Sequence, residues 1–330
     1  METLNRTVTE FILLGFSMGH QEEILLAVLF LAMYITSLAG NILIFCIVLG
    51  NTQLHTPMYF FLSNFSILDI MFTSVISPQL LWNLFSGDKS ISFSACMAQL
   101  YFYFLLGTVE FFFLTSMSYD RYAAICKPLH YHTIMSSEVC AKIGLACWLC
   151  GFLSVLCPII QISRLSFCKS NSINHFFCDS GPLLELSCSN IRFIELMDFM
   201  LSSVVIVGSA ILTLISYSCI ISTILLIPTT SSRKKAFDTC ATHLTLISIS
   251  CGISIFTYVT PSQKETLNAH KVPAILTTTV CPFLNPFLFT LKNESVRDAL
   301  RKTVRKTRDI IIECFLTTRK GNTVVLGESH

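Results

Sequence analysis

The chain has 330 residues, is 53% hydrophobic and only 13% charged, and carries a formal net charge of +2. A soluble globular domain holds about 25% charged residues, so this balance excludes one. The small net charge says little by itself; where the charges fall says more.

Residues 1–23 read as an N-terminal tail. Its apolar patch from Phe11 to Phe16 is too short for a cleavable signal and follows no basic residues, so the first span is expected to act as an uncleaved anchor. Asn5-Arg6-Thr7 is a glycosylation acceptor if the tail lies outside. Two other matches, at Asn64 within a span and Asn293 on the inner side, are expected to stay unmodified.

Seven apolar segments follow, at 24–50, 58–82, 96–119, 140–161, 196–227, 236–260 and 272–291. A helix needs roughly 20 apolar residues to cross a bilayer core of about 30 Å. Uninterrupted runs of this length imply helices, because hydrocarbon offers the backbone no other partners. The predicted fold is therefore an all-α membrane protein, a seven-helix bundle over 24–292, with an amphipathic helix at 293–306 and a tail at 307–330. With the N-terminus outside, 15 Lys and Arg fall on the inner side and 7 on the outer, which favours that orientation.

The third segment ends in Ser118-Tyr119-Asp120-Arg121-Tyr122-Ala123-Ala124-Ile125-Cys126-Lys127-Pro128-Leu129-His130-Tyr131. An adjacent acid and base where a helix leaves the bilayer is costly to place, and its default reading is functional. At 3.6 residues per turn, Tyr103, Gly107, Glu110, Leu114, Ser118 and Arg121 fall near one face. Tyr103 and Arg121 are then about 27 Å apart on one rigid rod. The deep acids are Asp69 and Glu110, with Asp238 near the inner end of the sixth segment. Two carboxylates in hydrocarbon must share a cation, a proton or a hydrogen-bond network.

Of 15 cysteines, four are placed outside: Cys96, Cys168, Cys178 and Cys188. An oxidising exterior favours pairing, and the sequence alone leaves three connectivities open. His175, three residues before Cys178, makes a metal site a weaker alternative. Beyond the seventh segment Val296, Leu300 and Val304 recur every four residues among Arg297, Arg301, Lys302 and Arg305, the pattern of an interfacial helix on an anionic leaflet. Cys314 is a weak acylation candidate.

Taken together, several runs resemble the odorant (olfactory) receptors among the rhodopsin-like G-protein-coupled receptors, and the short loop between the sixth and seventh segments resembles their tetrapod-type branch. The runs are Gly40-Asn41, Leu54-His55-Thr56-Pro57-Met58-Tyr59, Met117-Ser118-Tyr119-Asp120-Arg121-Tyr122, Ser216-Tyr217, Lys235-Ala236-Phe237-Asp238-Thr239-Cys240-Ala241-Thr242-His243 and Pro282-Phe283-Leu284-Asn285-Pro286. The resemblance covers residues from about 5 to about 305. It implies pairing of Cys96 with Cys178 and of Cys168 with Cys188. It implies a G-protein switch built from Asp120, Arg121, Tyr217, His243, Asn285 and Pro286, with Arg121 released toward Tyr217 on activation. A sodium-type site at Asp69 and Glu110 is a further implication, with no other cofactor. The implied partners are a small volatile ligand, a stimulatory heterotrimeric G protein that raises cyclic AMP, and membrane lipid, with no nucleic acid. The implied location is the plasma membrane of olfactory cilia.

The expected ligand wall is Tyr103, Phe104, Gly107, Thr108, Phe111, Ser202, Val205, Cys251, Ser254, Ile255, Tyr258 and Thr278. This set is apolar and aromatic with a few hydroxyls and no counter-charge, which suits small neutral molecules. Three positions depart from the family's pattern: Phe289 replaces a usual Tyr, Ser250-Cys251-Gly252 replaces Phe-Tyr-Gly, and Asp238 stands for a usual Ser. A receptor for an endogenous small molecule outside the nose is the alternative reading. A transporter or channel would want broken helices, repeats or a polar pore, and no catalytic constellation suggests an enzyme.

Overall fold

The computed structural model describes residues 8–16, 18–259, 267–292, 295–303, 305 and 308. Asn5, Val304, Cys314 and the Asp238 side chain lie outside the described set. Helices α1 (His20–Gly50), α2 (Pro57–Ser86), α3 (Phe93–Cys126), α5 (Ser137–Ser163) and α7 (Arg192–Leu225) form the first five spans. The sixth is α8 (Thr230–Ser254) continued by a π-helical turn, Ile255–Val259. The seventh is α9 (Leu267–Ile275), a second π-helical turn at Leu276–Val280, and α10 (Cys281–Lys292). Among the described residues six helices are long and apolar enough to cross a membrane, and the apolar part of the sixth runs only from His243 to Tyr258. Its inner half, from Thr230, carries Arg233, Lys234 and Lys235 and extends beyond that apolar stretch.

Local chemistry sets the ends. Pro57 opens α2, where its missing N–H is no loss. Gly87 closes it at φ 72, with its N–H bonded to the Asn83 carbonyl, a backbone shape that only glycine adopts freely. The Ser92 hydroxyl caps α3 by accepting from Ala95 N, and Ser136 does the same for α5 from Val139 N. Inside α10, Pro286 cannot donate to the carbonyl four residues back. That carbonyl, Pro282 O, instead accepts from Ser37 Oγ at 3.0 Å and Asn41 Nδ2 at 3.4 Å on α1. The two helices meet closely there: a Cβ on Gly40 would stand 2.7 Å from Pro286 Cβ.

The outer end carries a lid. Strand β1 (Glu10–Leu13) lies between β2 (Ser90–Ser92), antiparallel, and β3 (Ser172–Ile173), parallel. Alternation buries Phe11 and Leu13 fully in a cluster with Leu100, Cys178 and Leu183. Short helix α6 (Ser180–Leu184) completes the lid. Disulfides Cys96–Cys178 and Cys168–Cys188 tie it down, as the family resemblance implied, with Cα–Cα distances of 5.5 and 5.9 Å. Cys178 N also donates to Gln99 Oε1, whose amide nitrogen donates to Val75 O. His175 is buried, stacked on Phe176, in this lid.

Short helix α4 (Tyr131–Ile134) links the third and fourth spans inside. Residues 295–303 are helical, with Val296, Ala299 and Leu300 packed on the main core and Arg301 and Lys302 exposed. The apolar side of this stretch is turned to the bundle. Leu25, Leu145, Val204 and Leu214 stand exposed along the spans, which in hydrocarbon is the ordinary condition of a lipid-facing side chain.

Candidate functional site: an outer cavity and an inner latch

A cavity of ≈ 90 Å³ opens between the third, fourth, fifth, sixth and seventh spans, beneath the lid. One water occupies about 10–15 Å³ on this measure, so the space holds roughly six to nine waters' worth of a small molecule. Nine of the twelve expected wall residues line it: Tyr103, Phe104, Gly107, Thr108, Phe111, Ser202, Val205, Ser254 and Tyr258. Tyr103 and Tyr258 join hydroxyls at 2.7 Å across it, binding the third span to the sixth. Phe104 packs edge-on against Tyr258, and Phe177 of the lid leans on Tyr103 at 4.8 Å.

Three expected wall residues are absent from the lining. Cys251 is buried in the core, Ile255 is on the outer side at 37% exposure, and Thr278 is fully buried with its hydroxyl given to Ala274 O. Ser250, Thr257 and Thr277 face the cavity instead. The π-helical turns at Ile255–Val259 and Leu276–Val280 explain the slip, because each adds a residue to its turn and rotates the stripe projected at 3.6 per turn. The fourth span also contributes, through Val155, Pro158, Ile159 and Ile162.

The expectation of a wall without counter-charge is not met. Glu110 and Asp198 both line the cavity. Asp198 stands near the outer end of α7, where proximity to the span's start hid its depth. Behind it, Asp179 caps α6 by accepting from Ser180 N at 2.9 Å. Burial raises the Asp179 carboxyl to about 6, against the lowering by that backbone bond.

The two deep acids have separate partners. Asn285 Nδ2 donates to both Asp69 oxygens at 3.1 and 2.9 Å, and Ser250 Oγ donates to Glu110 Oε1 at 3.4 Å. Among the described residues no group of three or more His, Cys, Asp or Glu gathers for a metal ion.

At the inner end Asp120 is completely buried and forms an ion pair with Arg121, whose Nε donates to Asp120 Oδ2 at 3.0 Å. Tyr131 donates its hydroxyl to the other oxygen, Oδ1, at 2.7 Å. Its own ionisation is pushed up, first by burial and then by the Asp120 charge. Tyr131 closes the motif that begins at Ser118, but its place eleven residues beyond Asp120, across a turn, hides this contact in the sequence.

His243 joins three spans. Its Nε2 lies 3.0 Å from the Leu114 carbonyl on α3, so that nitrogen must carry the proton. Its Nδ1 is then an acceptor for the Tyr217 hydroxyl of α7 at 2.8 Å. Tyr217 is thus occupied with the sixth span, and Arg121 with Asp120. Phe289 packs edge-on against Phe65 at 5.8 Å, in the place where a phenol would have offered a hydroxyl.

A bundle of seven spans under a disulfide-tied lid, with an outer cavity and an inner ion pair, has the fold of rhodopsin. The crystal structure of squid rhodopsin superposes with a TM-score of 0.64 at 16% identity, covering 88% of each chain, which supports the fold alone. The sequence comparisons go further. The olfactory receptor family profile matches residues 30–307. Olfactory receptor 6J1 of Homo sapiens is 59% identical over 92% of this chain and 87% of its own length. Olfactory receptor 6C76 of Homo sapiens is 49% identical over 92% of this chain and 97% of its own. The chain belongs to the olfactory receptor family: it is a multi-pass G-protein-coupled receptor and not an enzyme.

Proposed function

We propose that the outer cavity binds small, mostly apolar molecules and that their binding activates a stimulatory heterotrimeric G protein, raising cyclic AMP. One observation carries the reading. Two rods each hold a piece of both sites: α3 presents Tyr103 and Glu110 to the cavity and Asp120 and Arg121 to the latch, while the sixth span presents Ser254 and Tyr258 above and His243 below. A ligand that prefers one arrangement of Tyr103 against Tyr258 therefore biases the packing of the same rods at the inner end, by no more than that preference.

Activation on this account breaks the Tyr217–His243 contact, moves the inner end of the sixth span outward and frees Arg121 from Asp120. Arg233 and Lys234 line a groove between the fifth and sixth spans at that end. The receptor sits in the plasma membrane with its N-terminus outside, in keeping with the lid disulfides and the inner excess of Lys and Arg. Sodium held by Asp69 and Glu110 would supply a positive charge that stabilises two buried carboxylates at rest; raising sodium should then lower agonist potency. The test is a panel of volatiles applied to cells expressing the receptor, with cyclic AMP as readout. Ligand-dependent cyclic AMP supports the reading, and ligand-dependent ion flux without a G protein would replace it with a channel.

A further inference from the structure

We propose that the cavity takes a small primary amine in its protonated form, with the ammonium group paired to Asp198. The proposal rests on the cavity being the ligand site and deepens that reading by naming the ligand's chemistry. It also replaces the neutral ligand expected from the sequence.

The lining supplies two carboxylates, Glu110 and Asp198, and among the described lining residues none is Lys, Arg or His. A third acid, Asp179, is buried in the lid close enough for its charge to act on both Tyr103 and Tyr258. Lys271, a basic residue at the outer end of the seventh span, is committed elsewhere, donating to Gly15 O at 2.8 Å and Asn174 Oδ1 at 2.9 Å. The cavity therefore presents two carboxyl groups with no lining cation beside them among the described residues. An ammonium group brought beside such a carboxyl favours its ionised form and pairs with it, the attraction in apolar surroundings offsetting the desolvation of both groups, whereas an anionic ligand finds no partner of opposite charge.

Of the two lining acids, Asp198 is the better partner for an ammonium. Glu110 already accepts from Ser250 and lies seven residues, or about 10 Å, deeper along α3 than Tyr103. Asp198 stands at the outer end of α7, and Ser202, one turn on, also lines the cavity. Its carboxylate has Ser180 of the lid within hydrogen-bonding reach. A second acceptor for the ammonium's three protons is therefore at hand in the Ser202 hydroxyl. Phe104 and Tyr258 offer ring faces to a cation and apolar surface to an alkyl chain. A volume of ≈ 90 Å³ suits a chain of a few carbons.

The experiment compares hexylamine, hexan-1-ol and hexanoate on cells expressing the full receptor, at matched surface delivery, with cyclic AMP as readout. Hexylamine should be at least about tenfold more potent than the alcohol, and hexanoate inactive. Asp198→Asn should bring the amine-to-alcohol potency ratio to about one, and Asp198→Glu should restore much of it. An alcohol or carboxylate as potent as the amine, or a ratio unmoved in Asp198→Asn, overturns the proposal. If no compound acts while Tyr131→Phe raises basal cyclic AMP in the same cells, coupling is intact and the amine proposal alone fails. If that variant is silent too, the thermal shift of purified receptor decides: stabilisation by hexylamine over hexan-1-ol, lost in Asp198→Asn, sustains the amine while the coupling reading falls, and equal shifts remove both.

Discussion

Tyr131→Phe isolates one bond of the latch. The hydroxyl donates to Asp120 Oδ1 at 2.7 Å, and the ring packs against the main core. Phenylalanine keeps the ring and deletes only the donor. A hydrogen bond to a charged group contributes about 1.5–3 kcal/mol, and the half-buried position of Tyr131 argues for the lower end. If the bond exists only at rest, losing about 1.5 kcal/mol multiplies the active-to-resting ratio by about tenfold, since 1.4 kcal/mol is a factor of ten. Basal signalling should rise toward tenfold, and by linkage agonists should bind more tightly by a comparable factor. The assay is cyclic AMP without ligand, normalised to surface receptor, followed by an agonist dose–response. Unchanged basal output together with an unchanged agonist midpoint would refute the idea that this contact holds the resting state.

Other expectations are as direct. Gly40→Val would push a side chain into Pro286, at a cost of about 1–3 kcal/mol for overpacking; a fall in thermal stability and surface delivery is expected, and wild-type levels of both would contradict the close approach. Cys168→Ser should cost about 2–4 kcal/mol of lid stability and expose the 169–187 loop to proteases, measured by limited proteolysis on intact cells. Asp179 binds its proton more tightly in the folded lid, where its carboxyl sits at about 6, than in the unfolded chain near the ordinary 3.8. The Asp179 contribution to stability should therefore fall as pH rises from about 4 to about 6, by at most about 3 kcal/mol, and be level on either side. Asp179→Asn should flatten that slope in thermal melts of solubilised receptor; a slope that persists would assign it to another group. Restoring a phenol with Phe289→Tyr should raise maximal signalling if its hydroxyl bridges toward Tyr217 on activation; no change would show the Phe65 packing to be sufficient.

Much of this architecture was legible because lipid enforces it. Apolar length alone marks a span, and the Tyr103-to-Arg121 stripe follows from helical pitch along an unbroken α3. What escaped had specific causes. Strand β1 has only four residues, and its partners lie some 80 and 160 positions away, so its alternation carried no weight locally. The π-helical turns altered the phase of two spans, which is why Cys251, Ile255 and Thr278 were expected at the wall and Ser250, Thr257 and Thr277 occupy it. Asp198 is near a span's start, where an acid normally meets water; only the placement of the lid over that end brings it into the cavity. The His243 bridge needs three chain segments at once, and no spacing rule encodes their meeting.

The central claim is that occupancy of the outer cavity opens the inner latch. It is tested most directly by nucleotide exchange on a purified stimulatory G protein, driven by purified receptor with and without an agonist. Agonist should accelerate exchange with wild-type receptor, and Arg121→Ala should abolish the acceleration while still binding the agonist. Equal acceleration by Arg121→Ala, or none with an agonist-occupied wild-type receptor, would contradict it.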